Sequence, residues 1–301
     1  VSQGRFPGIE SPDIEHGMHN KEKFRTIAEK LNLPIPETQN HNSKSLDYPV
    51  IIKPVDSFSG RGITVINNRN KKLFDSAIEL ARKNSATEEY LLEKFVSGDL
   101  YSHSAFLKNK RAIKNFFVKE DSTVNSFVVD TSRVIFSPPP EMQRQIINAV
   151  EKLARYLRLK DGLIHSQFIW DGCNIYLIDR NRRIAGDLYS QLIELSTGHP
   201  YVENYVRPFL DMPYKNIEDS DTRIPIMRHT VSVSKEQNFN HISFKESLNL
   251  ESWVALSSAG DRIKASPDGS VGILFARAKS QAELLTLYEA TTRRQLYEVV
   301  D

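Results

Sequence analysis

Lys53-Pro54-Val55-Asp56-Ser57-Phe58-Ser59-Gly60-Arg61-Gly62 closes one short apolar run and leads into another. The run before it, Tyr48 to Lys53, reads as a buried strand, and Ile63 to Ile66 reads as a second. Between them lies a turn-rich loop with two glycines, Gly60 and Gly62. Glycine lets backbone N–H groups come close to an anion with no Cβ in the way. A lysine at the base of such a loop adds a point charge for a phosphate. Taken alone, the segment is an ordinary hairpin. It is not a P-loop, because no helix and no Lys-Ser/Thr pair follows the glycines.

Upstream, Asn20 is placed to cap a helix whose apolar positions, Phe24, Ile27, Ala28 and Leu31, recur at helical spacing before Pro34. Residues 1–19 read as polar and turn-rich. Downstream, Phe74, Ala77, Ile78 and Ala81 mark another helix, and Tyr90 to Val96 a third strand, which carries Glu93-Lys94 and turns at Gly98. The peptide groups of that strand could present N–H and C=O to a purine edge. Strands are expected over 101–107, 111–118 and 124–136. A helix striped by Met142, Ile146, Val150, Leu153 and Leu157 comes next, then helical segments over 188–195 and 201–210. The polar stretch 211–222 marks a boundary. Beyond it, strands over 223–234, 252–257 and 271–277 precede a last helix capped by Ser280 and Glu283.

Residues 163–170 and 174–179 form a hairpin around Asp171-Gly172 that brings Gln167, Asp179 and Asn181 onto two adjoining strands, with Arg183 beyond them. Hard cations such as Mg²⁺ take one or two carboxylates together with phosphate oxygens and water. Arg183 suits a transferring phosphoryl group or an oxyanion. A shared cation needs Gln167 and Asp179 on one face. A two-residue turn at Asp171-Gly172 pairs Gln167 with Tyr176 and puts Asp179 on the other face. The metal reading therefore requires a three-residue loop, Asp171-Gly172-Cys173, or a bulge.

The 301 residues suffice for two domains, or for one domain with a large lid. A formal charge of +2 gives no reason to expect nucleic acid or an anionic membrane as a main partner. The single cysteine, Cys173, fits a reducing compartment. No apolar run approaches the roughly 18 residues that span a bilayer, and Val1 to Gly8 lacks the apolar core of a signal peptide. A cytoplasmic protein is expected. His103 and His165 read as packed strand residues, no Cys/His cluster suggests zinc, and Ser59 and Ser166 lack His-Asp partners.

The order of these parts (lysine and helix, strand with Lys-Pro and glycine loop, Glu-Lys strand, then Gln…Asp-x-Asn-x-Arg) resembles the ATP-grasp superfamily from about Lys21 to Leu210. It looks closest to the branch with biotin carboxylase, carbamoyl-phosphate synthetase and the carboxylate–amine ligases. The resemblance implies an α/β (α+β) fold: an ATP-grasp domain over 1–221, with a small lid subdomain at about 46–96 over a larger antiparallel-sheet lobe at about 97–221. A small C-terminal α/β unit, 222–301, would pack on that lobe. Lys21 and Lys53 match the two phosphate-contacting lysines, Ser57, Ser59, Gly60 and Gly62 belong to the mobile loop over the triphosphate, and Glu93, Lys94, Phe95 and Val96 match the adenine hinge. Gln167 and Asp179 match the metal-bridging pair, Asn181 the next metal or phosphate ligand, and Arg183 the arginine near the γ-phosphate. Asp187 falls where biotin carboxylase has an acidic residue acting on bicarbonate. The implied cofactors are ATP and Mg, and the implied activity is an ADP-forming carboxylate–amine ligase working through an acylphosphate. The alternatives are a bicarbonate-activating enzyme or a non-catalytic nucleotide-binding module. Homodimers are common in the family. The sequence departs from the pattern at Gln167 and Asp179, usually both Glu, and at Leu100, where many members have a Glu for the ribose hydroxyls. A preceding Rossmann-like domain, usual in the family, has no counterpart in these residues.

Overall fold

The computed structural model describes residues 6–40, 46–218 and 222–301, so the boundary expected at 221 falls outside the described residues. In chain order the elements are α1 (Pro12–His19), α2 (Lys21–Lys30), β1 (Val50–Pro54), β2 (Thr64–Ile66), α3 (Lys71–Lys83), β3 (Tyr90–Lys94), β4 (Asp99–Lys108), β5 (Arg111–Asp121), β6 (Thr131–Val134), α4 (Pro140–Tyr156), β7 (Gly162–Trp170) and β8 (Ile175–Asn181). Then follow α5 (Tyr189–Thr197), α6 (Tyr201–Val206), a 3₁₀ turn (Arg207–Leu210), β9 (Ile226–Val231), β10 (Gln237–Asn238), β11 (His241–Phe244), β12 (Leu250–Ala255), β13 (Arg262–Ile263), β14 (Gly272–Arg277), α7 (Gln281–Thr292) and β15 (Tyr297–Val300).

Contacts divide the chain into two compact units, each discontinuous in sequence. The first comprises Val1–Asn115, Ser137–Arg183 and Glu203–Tyr214. It holds a three-stranded antiparallel sheet of order β2-β1-β3. Val50, Ile52, Ile66 and Leu92 on one face pack against Phe74, Ala77, Ile78 and Ala81 of α3. That leaves Lys53, Leu91 and Glu93 on the opposite face, because Ile51 pairs with Glu93 and Lys53 with Leu91. The same unit contains the antiparallel run β4-β7-β8 and the first half of β5. Helix α4 buries Met142, Ile146, Ala149, Val150 and Leu153, close to the stripe read from sequence. Asn20 caps α2 as expected, its Oδ1 accepting from Lys23 N at 2.9 Å.

The second unit comprises Phe116–Phe136, Ile184–Val202 and Lys215–Asp301. Its strands run β12-β14-β9-β6 and continue to the second half of β5. Helix α7 packs Leu284 and Tyr288 into a core with Met227, Val231 and Leu274. Ser280 Oγ accepts from Glu283 N at 3.2 Å and the Glu283 carboxylate accepts from Lys279 N at 2.7 Å, so both halves of the expected cap region are engaged.

Two expectations need correction. Residues 124–130 are not strand; only Thr131–Val134 is. The Asp130 carboxylate draws the preceding segment into a turn, accepting from Thr123 N, Thr123 Oγ1 and Val124 N. Within 1–19, Pro12–His19 is a helix, started by Ser11 as N-cap with Pro12 in the first turn.

Gly98 sits at φ +158°, where a Cβ would lie 2.5 Å from Trp170 O and 2.7 Å from Ile169 Cγ2. We expect Gly98→Ala to cost about 1–3 kcal/mol through overpacking, measured as a lower urea midpoint at constant slope.

Candidate nucleotide and metal site

The hairpin β7–β8 decides whether the oxygen donors meet. Asp171 N donates to Asn174 O at 3.1 Å, and Asp171 Oδ1 accepts from Cys173 N and Asn174 N at 2.8 and 2.7 Å. The reversal is therefore Gly172-Cys173, with Gly172 at φ +101°. Trp170 pairs with Ile175, Ile169 with Tyr176 and Phe168 with Leu177. The register then shifts, and Gln167 pairs with Asp179 and His165 with Asn181. Ile178 is the extra residue, so a bulge supplies the match that the metal reading required. Gln167, Asp179 and Asn181 share one face. Ser102 and Ser104 of β4 pair with Gln167 and His165 on the same face. Ser104 Oγ lies 2.9 Å from His165 Nδ1, and burial holds the His165 pKa down at about 4, so its imidazole is neutral at pH 7.

Lys21 ties the start of α2 to the glycine loop. Lys21 opens α2, and its Nζ donates to Ser57 O at 2.7 Å while its N donates to Val55 O at 3.0 Å. Burial lowers its pKa, and the largest opposing influence is the charge of Asp179. Ser57 Oγ donates to Arg61 O at 3.2 Å, closing the loop on itself. Ser59, Gly60 and Gly62 all have positive φ, at 55°, 69° and 74°. Phe58 at the loop tip is 70% exposed, with the Arg61 guanidinium over its ring.

Lys53 is buried, and its ammonium lies 2.5 Å from Glu93 Oε2. Arg25 Nε donates to Glu93 Oε1. Burial depresses the Lys53 pKa to about 8, with Glu93 opposing that shift and Arg25 and Lys21 adding to it. Despite its own burial, Glu93 has its pKa held below the usual range by Lys53 and Arg25. Arg180, on the face of β8 opposite Asp179 and Asn181, stacks 3.3 Å from the Phe24 ring centroid and donates to Asn20 O at 3.2 Å. Arg25 Nη1 and Nη2 and Arg180 Nε have no hydrogen-bond partner among the described residues. The cluster thus holds more cations (Lys21, Arg25, Lys53, Arg180) than carboxylates (Asp56, Glu93, Asp179), and buried surplus charge of this kind calls for an anion.

At the hinge, Lys94 N donates to Glu37 O at 2.9 Å and Phe95 N to Pro49 O at 2.8 Å, and the Lys94 ammonium pairs with Asp47. The Glu93 side chain is committed to the cation pair. Leu100 pairs with Ile169 and offers no side-chain acceptor. Arg183 is exposed, and its N donates to Asn181 Oδ1 at 3.2 Å. Asp187 belongs to the second unit, where its carboxylate lies 3.4 Å from the buried Arg228 guanidinium, and Arg228 also donates to Ser132 Oγ and Thr230 Oγ1. Sequence reading missed Arg25, Arg180 and Arg228. The one available signal for Arg25 was its place one helical turn beyond Lys21 on a helix already assigned to the site.

A donor set with one carboxylate and two amides suits Mg²⁺ held largely by phosphate oxygens. Among the described residues, no group of three His, Cys, Asp or Glu gathers to hold a metal on its own.

Residues 46–191 match the family model described as ATP-grasp domain, and the chain contains an ATP-grasp domain. Among curated proteins, the carbamoyl phosphate synthase large chain of Clostridium acetobutylicum is 24% identical over 196 residues, 61% of this chain and 18% of that protein. The arginine-specific large chain of Bacillus subtilis is 30% identical over 214 residues, 64% of this chain and 20% of that protein. The chain thus spans about a fifth of the length of these relatives. Among solved structures, the L-amino acid ligase from Bacillus licheniformis superposes with a TM-score of 0.77 at 17% identity, covering 97% of this chain and 74% of that one. The biotin carboxylase domain of Hydrogenobacter thermophilus 2-oxoglutarate carboxylase, solved with MgADP and bicarbonate, gives 0.69 at 17% identity, covering 94% and 66%. These likenesses show the fold. No helix among the described residues is long and apolar enough to cross a membrane.

Glu93 is the counter-charge for two buried cations. We expect Glu93→Ala to destabilise the protein by about 3–5 kcal/mol, the cost of stranding buried charge, read as a fall in the denaturation midpoint. Arg25→Met on the same background should return part of that loss, because it removes one of the stranded charges.

Proposed function

We propose that the protein is an ADP-forming carboxylate–amine ligase that binds Mg-ATP on the face carrying Gln167, Asp179 and Asn181. The observation that carries this reading is the bulge at Ile178, which turns Asp179 and Asn181 onto the side of Gln167. A hairpin in regular register would scatter these groups over two faces.

In this reading Lys21, Lys53 and the amides of Ser57 to Gly62 neutralise the triphosphate. Gln167, Asp179 and Asn181 would hold magnesium, which would supply charge neutralisation to the triphosphate. Arg183 faces the transferring phosphoryl group, whose chemistry asks mainly for positioning and electrostatic support. A substrate carboxylate takes the γ-phosphoryl group, and an amine then displaces phosphate from the acylphosphate. The loop at Phe58 and the β2-β1-β3 sheet serve as the cover that keeps water away from that species. Lys53 leaves Glu93 for the phosphates, or shares its charge between them, while Arg25 keeps Glu93 paired.

The test is a screen of carboxylate–amine pairs for ADP release that requires both partners. ADP release with neither partner required, or with bicarbonate alone, would overturn the ligase assignment. Asp179→Ala should lower Mg-dependent turnover on the order of 100-fold or more, the scale of losing one preorganised electrostatic contact. Its side chain is 41% exposed, so an unchanged circular dichroism spectrum is expected.

The Lys53 pKa gives a pH test. Its folded value of about 8 is below the ordinary lysine value, so the cation is present below pH 8 and lost above it. Mg-ATP affinity measured by calorimetry should fall between pH 7 and roughly 9 as the ammonium deprotonates. Lys53→Arg, which stays charged throughout, should flatten that dependence.

A further inference from the structure

A cavity of about 200 Å³ lies within the first unit, bordered by Glu15, Asn181, Arg183, Tyr205 and Phe209, with the Glu10–Arg182 pair in its wall. Asn181 and Arg183 join it to the site above.

The acids around it differ in how they are used. Glu10 Oε1 accepts from Lys160 N at 2.8 Å and lies 3.2 Å from Arg182 Nη2. Asp161 Oδ1 accepts from Asn109 N at 2.8 Å. Arg182 Nη2 also donates to Lys160 O and Asp161 O at 2.8 and 3.3 Å, while its buried Nη1 has no hydrogen-bond partner among the described residues. The Glu15 carboxylate makes no hydrogen bond and no ion pair among the described residues, although it is partly buried. Burial raises its pKa, Arg182 and His19 pull it down, and the charge of Glu10 adds to the rise. A partly buried carboxylate with no hydrogen bond or ion pair gains from a cation in contact with it.

The rest of the wall narrows the class of cation. Tyr205 and Phe209 pack edge to face, with ring centroids 5.3 Å apart. After burial, the charge of Glu15 is the largest influence raising the Tyr205 pKa, so ring and carboxylate are neighbours. Aromatic faces attract organic ammonium groups and cover their alkyl portions. A bare metal ion would want several oxygen ligands, and the cavity offers one free carboxylate.

We propose that this cavity receives the amine co-substrate as its ammonium ion, with Glu15 as counter-ion and the Tyr205 and Phe209 rings against its carbon skeleton. The assignment rests on the ligase reading: the ammonium gives one proton to the Glu15 carboxylate, and the neutral amine so formed lies beside Asn181 and Arg183, where the activated carboxyl group would lie.

The test uses the full chain, with n-propylammonium chloride as the probe and n-propanol as its neutral counterpart, followed by saturation-transfer NMR at constant ionic strength. Calorimetry with Mg-ATP is run on the same samples. The expected result is binding of propylammonium and not of propanol, weakened about tenfold or more by Glu15→Gln, with Mg-ATP affinity unchanged by that variant. Phe209→Leu should weaken propylammonium several-fold while leaving sodium without effect. Equal propylammonium binding by wild type and Glu15→Gln, or no binding to the wild type, overturns the proposal. Loss of Mg-ATP binding in the wild type with propylammonium binding intact would sink the ligase reading and leave the ammonium site standing.

Discussion

Glu93 has no exposed surface, and two cations converge on its carboxylate. That arrangement organises the first unit. It ties α2, through Arg25, to β3, and ties β1, through Lys53, to the same carboxylate. Charges so far from water stay ionised only because each is the other's solvent. The result is a fixed positive field on the face of the sheet opposite α3, with Lys21 and Arg180 close enough to feel it. The donors of that field are already oriented before any ligand arrives, which is what makes an electrostatic site effective.

The oxygen-donor side depends on backbone geometry. Asp171 closes a tight reversal with its own side chain, and the hairpin then makes up one residue by bulging at Ile178. Had the reversal absorbed the odd residue, the metal face would be the same but the strand ends would be staggered differently. The bulge adds local twist, and it falls directly before Asp179, so it also aims the one carboxylate of the set.

Much of this was legible in the chain. Periodicity placed α2, α3 and α4 and the strands that carry Lys53, Glu93 and Gln167, because each has an apolar stripe or run bounded by turn residues, and the Ser280 and Glu283 cap placed α7. The register argument even stated what the hairpin needed, without saying which of its two devices would be used. Three things lay beyond reach. Helix α1 has few apolar positions and depends on its Ser11 cap and on packing by Met18 alone. The span 124–130 looked β-rich by composition, but Asp130 organises it through side-chain hydrogen bonds that no window detects. The pairing of Arg25 with Glu93 joins residues 68 positions apart, and local sequence holds no record of such a contact.

The edge of β3 carries one more consequence. Gln39 N donates to Leu92 O at 2.9 Å, Lys94 N donates to Glu37 O at 2.9 Å, and Thr38 bridges to Glu93. Residues 37–39 therefore lie along β3 as a short false strand and occupy the hydrogen-bonding groups that an outer strand would leave open. Exposed strand edges recruit other chains. Residues 37–39 thus withhold the edge of β3 from a neighbouring chain, which resists self-association through this sheet.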